Sequence, residues 1–226
     1  MSETKKIQRK SNQQGGLSRQ LRILLMIGIP VIVIMVIGLS LSNANTPATL
    51  DGDTALLIRE DSPTLGPIDA QVTIVEFLDP ECESCRAAFP AVKQLLKDYG
   101  DNVRLVVRYL PLHNNSVLAA TATEAAGLQG KYWEMQEELF THQSEWGEQQ
   151  TPQTDLFIGY AEEIGLDIDQ FVNDLDNADI LAKIERDRAD AQALKLTGTP
   201  TFFINGELVE PLNLERIIEM IEAALG

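Results

Sequence analysis

The sequence predicts an α/β domain, a short mixed β-sheet interrupted by a block of helices, carried behind one apolar span. Three observations predict it. First, an apolar, β-branched run at residues 72–77 passes through Cys82-Glu-Ser-Cys85 into a helical spacing of apolar residues over 86–99. Second, residues 114–194 read as almost all helix. Third, β character returns at residues 201–204, ahead of an Asn205-Gly206 hairpin turn. Neither half of the β material could close a sheet alone, so one domain with a helical insertion accounts for all three.

Taken in order, residues 1–22 form a basic N-terminus, with six basic residues against the single acid Glu3. Of the chain's 18 basic and 34 acidic residues, 12 and 33 therefore lie beyond residue 22, a net charge of −21. A domain so acidic repels phosphate backbones and excludes nucleic-acid binding as its function. Residues 23–41 are nearly unbroken apolar sequence, with Ser40 the one ordinary polar residue. As a helix this run spans ~29 Å, close to a hydrocarbon core of about 30 Å. The basic flank precedes it. This predicts a transmembrane anchor with a cytoplasmic N-terminus and the rest of the chain on the extracytoplasmic side of the cell membrane. A cleaved signal peptide ending near Ser42-Asn43-Ala44 is the alternative, but the run is longer than a usual signal core.

Residues 42–55 read as a polar tether and 56–226 as the folded domain, with its helical insertion at about 114–194. Residues 56–59 read as a first edge strand and 61–69 as a loop rich in Pro and Gly. After the core strand and the cysteine turn, Pro90 falls inside the first long helix and is expected to kink it. Residues 103–109 form a second strong strand. Trp133, Met135, Leu139 and Phe140 read as packing residues, Trp146 as a surface aromatic in a polar loop, and His142 as exposed. His113 follows Leu110-Pro-Leu and falls near the cysteine turn, without a role assigned to it. A short return strand at 208–209 and an amphipathic helix at 212–225 close the chain.

Cys82 and Cys85 are the only cysteines. Where a strand turns into a helix, Cys82 meets free backbone N–H groups and the positive end of the helix dipole, which favour the nucleophilic thiolate. A zinc site would need four ligands. Beyond the cysteines only His113 and His142 are available, each alone, so no metal is expected. A purely structural disulfide remains open, but closing so short a loop restricts the unfolded chain little. Redox chemistry is the stronger reading, and export would place it where disulfides persist.

The C-x-x-C after a β-strand, with Pro90 five residues beyond Cys85, resembles the thioredoxin active-site helix. Thr199-Pro200 before a late strand resembles that family's cis-proline loop, and the helical insertion is similar to the DsbA branch, the exported thiol oxidases. The resemblance implies a thioredoxin fold with an inserted α-helical subdomain, and no cofactor beyond the redox-active Cys82–Cys85 disulfide. It implies Cys82 as the exposed nucleophile and Cys85 as the buried resolving thiol. Pro200 would be the cis-proline, Thr199 its substrate-pairing neighbour, and Glu76 a buried acid that relays the Cys85 proton. Implied partners are reduced exported proteins and a DsbB-like membrane reoxidase, with the enzyme a monomer. The departure is Glu83-Ser84 where the oxidase carries Pro-His. Glu83, beside Glu81 and near Asp79, is expected to raise the Cys82 pKa and make the site less oxidising. A membrane-tethered reductase or isomerase, or a peptide-binding chaperone with a vestigial redox site, are the competing functions.

Overall fold

A computed structural model describes residues 54–226. The anchor expected at 23–41 and most of the tether lie outside them. Among the described residues, no helix is long and apolar enough to cross a membrane.

The chain opens with a helical turn, α1 (Thr54–Leu57), and a two-residue strand, β1 (Thr64–Leu65). Strand β2 (Val72–Leu78) leads through the cysteine turn into α2 (Glu83–Tyr99), and β3 (Val103–Tyr109) follows. Six helices come next: α3 (Ser116–Gly127), α4 (Tyr132–Thr141), α5 (Gln143–Trp146), α6 (Thr154–Glu163), α7 (Ile168–Asp174) and α8 (Ala178–Ala193). Strands β4 (Thr201–Ile204) and β5 (Glu207–Leu208) and helix α9 (Leu214–Leu225) complete the domain. The sheet order is β1-β3-β2-β4-β5, with β2 and β3 parallel and the other pairs antiparallel. Helix α2 is the crossover that a parallel pair requires.

Both faces of the sheet are covered, as the apolar runs of β2 and β3 demand. Ile74, Leu78, Leu105, Val107 and Phe202 face a core shared with α2, α9 and the helical insertion. Val75, Phe77, Val106 and Phe203 face a smaller core with Leu57 and Ala191. Two residues in the hairpin turn, Asn205 and Gly206, take positive φ, the backbone that an Asn-Gly turn supplies.

Two expectations are corrected. Residues 56–59 are not the edge strand. Thr64 and Leu65 pair with Val106 and Leu105 at that edge, while Leu57 turns inward and is buried. Trp146 is fully buried rather than a surface aromatic. Its indole N–H donates to Leu139 O at 2.9 Å, and its ring meets Phe157 edge to face, so a polar neighbourhood in sequence hid an inward-pointing side chain. Pro90 lies inside α2, which continues through it to Tyr99.

Arg108 is also fully buried. It donates to Leu56 O at 2.7 Å, Asp187 Oδ1 at 2.8 Å and Asp190 Oδ2 at 2.6 Å, and its guanidinium lies over the Phe77 ring. Arg59 adds a two-point contact to Asp190. This network ties α8, the last helix of the insertion, to β3 and α1.

Candidate active site

Cys82 is the N-cap of α2, with extended backbone (φ −73°, ψ 123°), and Cys85 lies in the first helical turn. Both are free thiols; Cys82 is half-buried and Cys85 has no exposed surface. The bond between Thr199 and Pro200 is cis, and Thr199 O accepts from Cys82 Sγ at 3.4 Å. The Thr199 hydroxyl is buried and has no other partner, so it is free to donate to Cys82 Sγ once the thiol ionises.

The electrostatics separate the two thiols. The Cys85 thiol donates to Cys82 Sγ. Against the opposing effect of burial, the Thr199 hydroxyl and the backbone N–H groups of Cys85 and Ser84 act in the same direction. Cys82 is brought down to about 5. Cys85 moves far above its ordinary value, because the Cys82 sulfur competes for its proton, burial disfavours its thiolate, and Glu76 adds negative charge. Glu83, expected to raise Cys82 relative to the DsbA type, is exposed, while donors converging at the helix start hold Cys82 below its ordinary value.

Glu76 sits mid-strand in β2, opposite Val107 and Phe202, and is 5% exposed. Burial alone raises its carboxyl to about 8. A cavity of about 70 Å³ lies against it, bounded by Val92, Trp133 and Gln136. The site thus brings together Cys82, Cys85, Glu76, Thr199 and Pro200, while Glu83 and Ser84 lie on its exposed rim.

Several residues of the site went unassigned in the sequence. Asp79 and Glu81 were counted as free negative charges, yet both are buried and bonded. Glu81 accepts from the backbone N–H groups of Asn115 and Glu148 and from the Ser116 hydroxyl. Asp79 accepts from Glu81 N, Leu112 N and His113 Nδ1. Gln143, at the start of α5, donates to Pro80 O and Cys82 O and fixes the turn from the insertion side. The parallel pairing of β2 and β3 was a signal for the first group, because adjacent strands end side by side. No local pattern marks Gln143.

An apolar groove of about 340 Å³ runs along α2 beside the cysteines, lined by Ala87, Ala91, Leu95, Pro200, Phe202 and Leu212. A second groove of about 570 Å³ shares Pro200, Phe202 and Leu212 and opens toward β5.

A C-x-x-C at a helix start, a cis-proline loop against its first sulfur and a helical insertion between β3 and β4 define a DsbA-like member of the thioredoxin superfamily. The chain belongs to the thioredoxin family, whose model matches residues 59–223. A thioredoxin-like oxidoreductase from Silicibacter pomeroyi has a similar structure, with a TM-score of 0.62 and 32% identity over 75% of this chain and 95% of that one. BdbD from Bacillus subtilis is similar at a TM-score of 0.64 and 29% identity, over 73% and 92%. The thiol-disulfide exchange protein alpha-DsbA2 from Wolbachia pipientis is similar at 0.65 and 25%, over 74% and 89%. A curated relative, the Na(+)/H(+) antiporter NhaA of Herminiimonas arsenicoxydans, is 42% identical over 141 residues. The match covers 62% of this chain but only 22% of that protein.

Proposed function

We propose that the chain is an extracytoplasmic thiol:disulfide oxidoreductase that donates its Cys82–Cys85 disulfide to reduced exported proteins. The observation that carries this is the asymmetry of the two thiols. A low Cys82 pKa stabilises the reduced enzyme and so gives its disulfide oxidising strength. At about 5 it lies between the ~7 of thioredoxin and the ~3.5 of DsbA, which supports a potential between theirs.

A substrate thiolate attacks Cys82 Sγ in the disulfide. The S–S bond breaks, and Cys85 leaves with the electron pair. Cys85 is a poor thiolate, so its departure requires a proton. Glu76, still protonated near neutral pH, supplies that proton from the buried side and regains one from water in the adjoining cavity. The Thr199-Pro200 backbone and the apolar grooves hold the substrate peptide. A second substrate thiolate then attacks the substrate sulfur of the mixed disulfide and expels Cys82 as its thiolate. The substrate loses two electrons and the enzyme gains them. No cofactor enters beyond the cysteine pair. A DsbB-like membrane reoxidase restores the disulfide, and an anchor at 23–41 keeps the enzyme beside it.

The test is turnover by the full chain. The oxidised protein should form a disulfide in a reduced, unfolded two-cysteine substrate, and Cys82→Ser should abolish this. Substrate oxidation by the Cys82→Ser variant at the wild-type rate would remove the proposal.

A further inference from the structure

Strands β2 and β3 run parallel, with Leu78 opposite Tyr109, so the segments that follow them leave the sheet side by side. One carries the redox turn and the other carries His113. Leu110 N continues the pairing onto Leu78 O at 2.8 Å. Asp79 then joins the two segments. Its side chain has no exposed surface. Oδ2 accepts from His113 Nδ1 at 2.7 Å and from Leu112 N at 2.7 Å, and Oδ1 accepts from Glu81 N at 2.8 Å. Its main-chain oxygen accepts from Cys82 N at 3.0 Å. Asp79 thereby holds the imidazole through its carboxylate and the nucleophile's backbone through its main-chain oxygen. His113 N donates to Ser116 Oγ at 3.0 Å, which holds the loop.

With its proton on Nδ1 facing Asp79, the imidazole becomes cationic by taking a second proton on Nε2. The ring is 46% exposed, so water can deliver it. The charged groups facing His113 are Asp79 at the end of β2, and Glu81 and Cys82 in the redox turn, all acidic. Partial burial lowers the imidazole pKa, but the hydrogen bond and charge of Asp79, followed by Glu81 and Cys82, outweigh it and leave it above the ordinary value. Linkage is reciprocal: a thiolate that favours the imidazolium is favoured by it in equal measure.

We propose that His113, seated on the buried Asp79 carboxylate, is a positioning residue that supplies the positive charge facing the Cys82 thiolate, in place of the histidine its redox dipeptide lacks. It touches no substrate in this role and acts through Cys82. This rests on Cys82 being the nucleophile. Below the His113 pKa the reduced form gains stabilisation, and above it that part is lost. Oxidising power therefore carries a pH dependence near neutrality.

The experiment uses the full chain as wild type, His113→Gln and His113→Lys. Thiolate absorbance of the reduced protein gives the Cys82 ionisation midpoint, glutathione buffers give the thiol–disulfide equilibrium, and thermal unfolding reports fold. In His113→Gln the midpoint should rise. Its equilibrium should become less oxidising by about three- to tenfold at about pH 6, and by less at about pH 8, where the wild-type imidazole is itself losing charge. His113→Lys should match wild type at about pH 6 and stay oxidising at about pH 8. An unchanged Cys82 midpoint in His113→Gln, or an equal loss at both pH values, would overturn the proposal and leave His113 as a tether of its loop, whatever the unfolding midpoint. Absence of substrate turnover alongside a shifted midpoint would instead count against the proposed function.

Discussion

Cys82 Sγ lies 3.4 Å from the carbonyl oxygen of Thr199, a residue 117 positions further along the chain. The same residue's hydroxyl is buried and otherwise without a partner. A buried hydroxyl left unpaired is costly, and a thiolate beside it removes the cost. Thr199→Val keeps the shape and deletes the donor. Its Cys82 pKa should rise from about 5, seen as an upward shift in the pH midpoint of alkylation. The shift should correspond to about 1 kcal/mol, the size of one hydrogen bond. An unmoved midpoint would show that the hydroxyl does not serve the thiolate.

Cys85→Ser should accumulate mixed disulfides through Cys82, because the buried thiol that would resolve them is gone. Cys82→Ser should accumulate none. Non-reducing gels of the full chain after exposure to a substrate disulfide distinguish the two. Adducts on the Cys82 variant would reverse the assignment.

Glu76 carries a sign that is opposite to most carboxylates. Its folded pKa, about 8, is above the ordinary 4.5, so across that interval the folded protein holds a proton that the unfolded chain has released. Stability contributed through Glu76 is therefore full below about 4.5 and falls as pH rises toward about 8. Glu76→Gln should be the more stable protein at high pH by a few kcal/mol, with the gain vanishing in acid. It should also slow disulfide donation, since Cys85 loses its proton source. Denaturant unfolding at both ends of the interval checks the first point; parallel pH profiles for the two proteins would show that Glu76 does not titrate in this way.

The Arg108 network should be sensitive to loss of one partner. Asp187→Ala removes an acceptor of the buried guanidinium, leaving it only Asp190, which it shares with Arg59, and strips Tyr109 N of its side-chain acceptor. A destabilisation of about 3–5 kcal/mol is expected from breaking a buried ion pair, measured by denaturant midpoint. Removing the exposed Lys93–Glu137 pair, whose atoms are 2.6 Å apart, should cost about 0–1 kcal/mol.

Much of the site was legible before folding. Strand, turn and helix around Cys82 and Cys85 follow from side-chain periodicity over a few residues, and Asn205-Gly206 declares its hairpin through turn chemistry. Glu76 was suspect because Val75 and Phe77 left the strand no wet face, and β2 is buried accordingly. By contrast, Glu83 stands beside Cys82 in sequence but is exposed, and the donors that lower Cys82 come together only in the folded turn and the Thr199 loop. Asp79 and Glu81 looked like two more surface acids but are interior acceptors for a loop some 35 residues away.

The chain by itself determined its local elements, the redox pair and the alternation that buries both faces of β2 and β3, because these depend on residues within one or two turns of each other. The tertiary structure alone decided which charges enter the core and what they meet. Arg108 reaching Asp187 and Asp190, Gln143 holding Cys82 O and His113 seated on Asp79 each join elements distant in sequence. A buried polar group is tolerable only when a partner arrives from elsewhere in the fold. No periodicity records where that partner comes from.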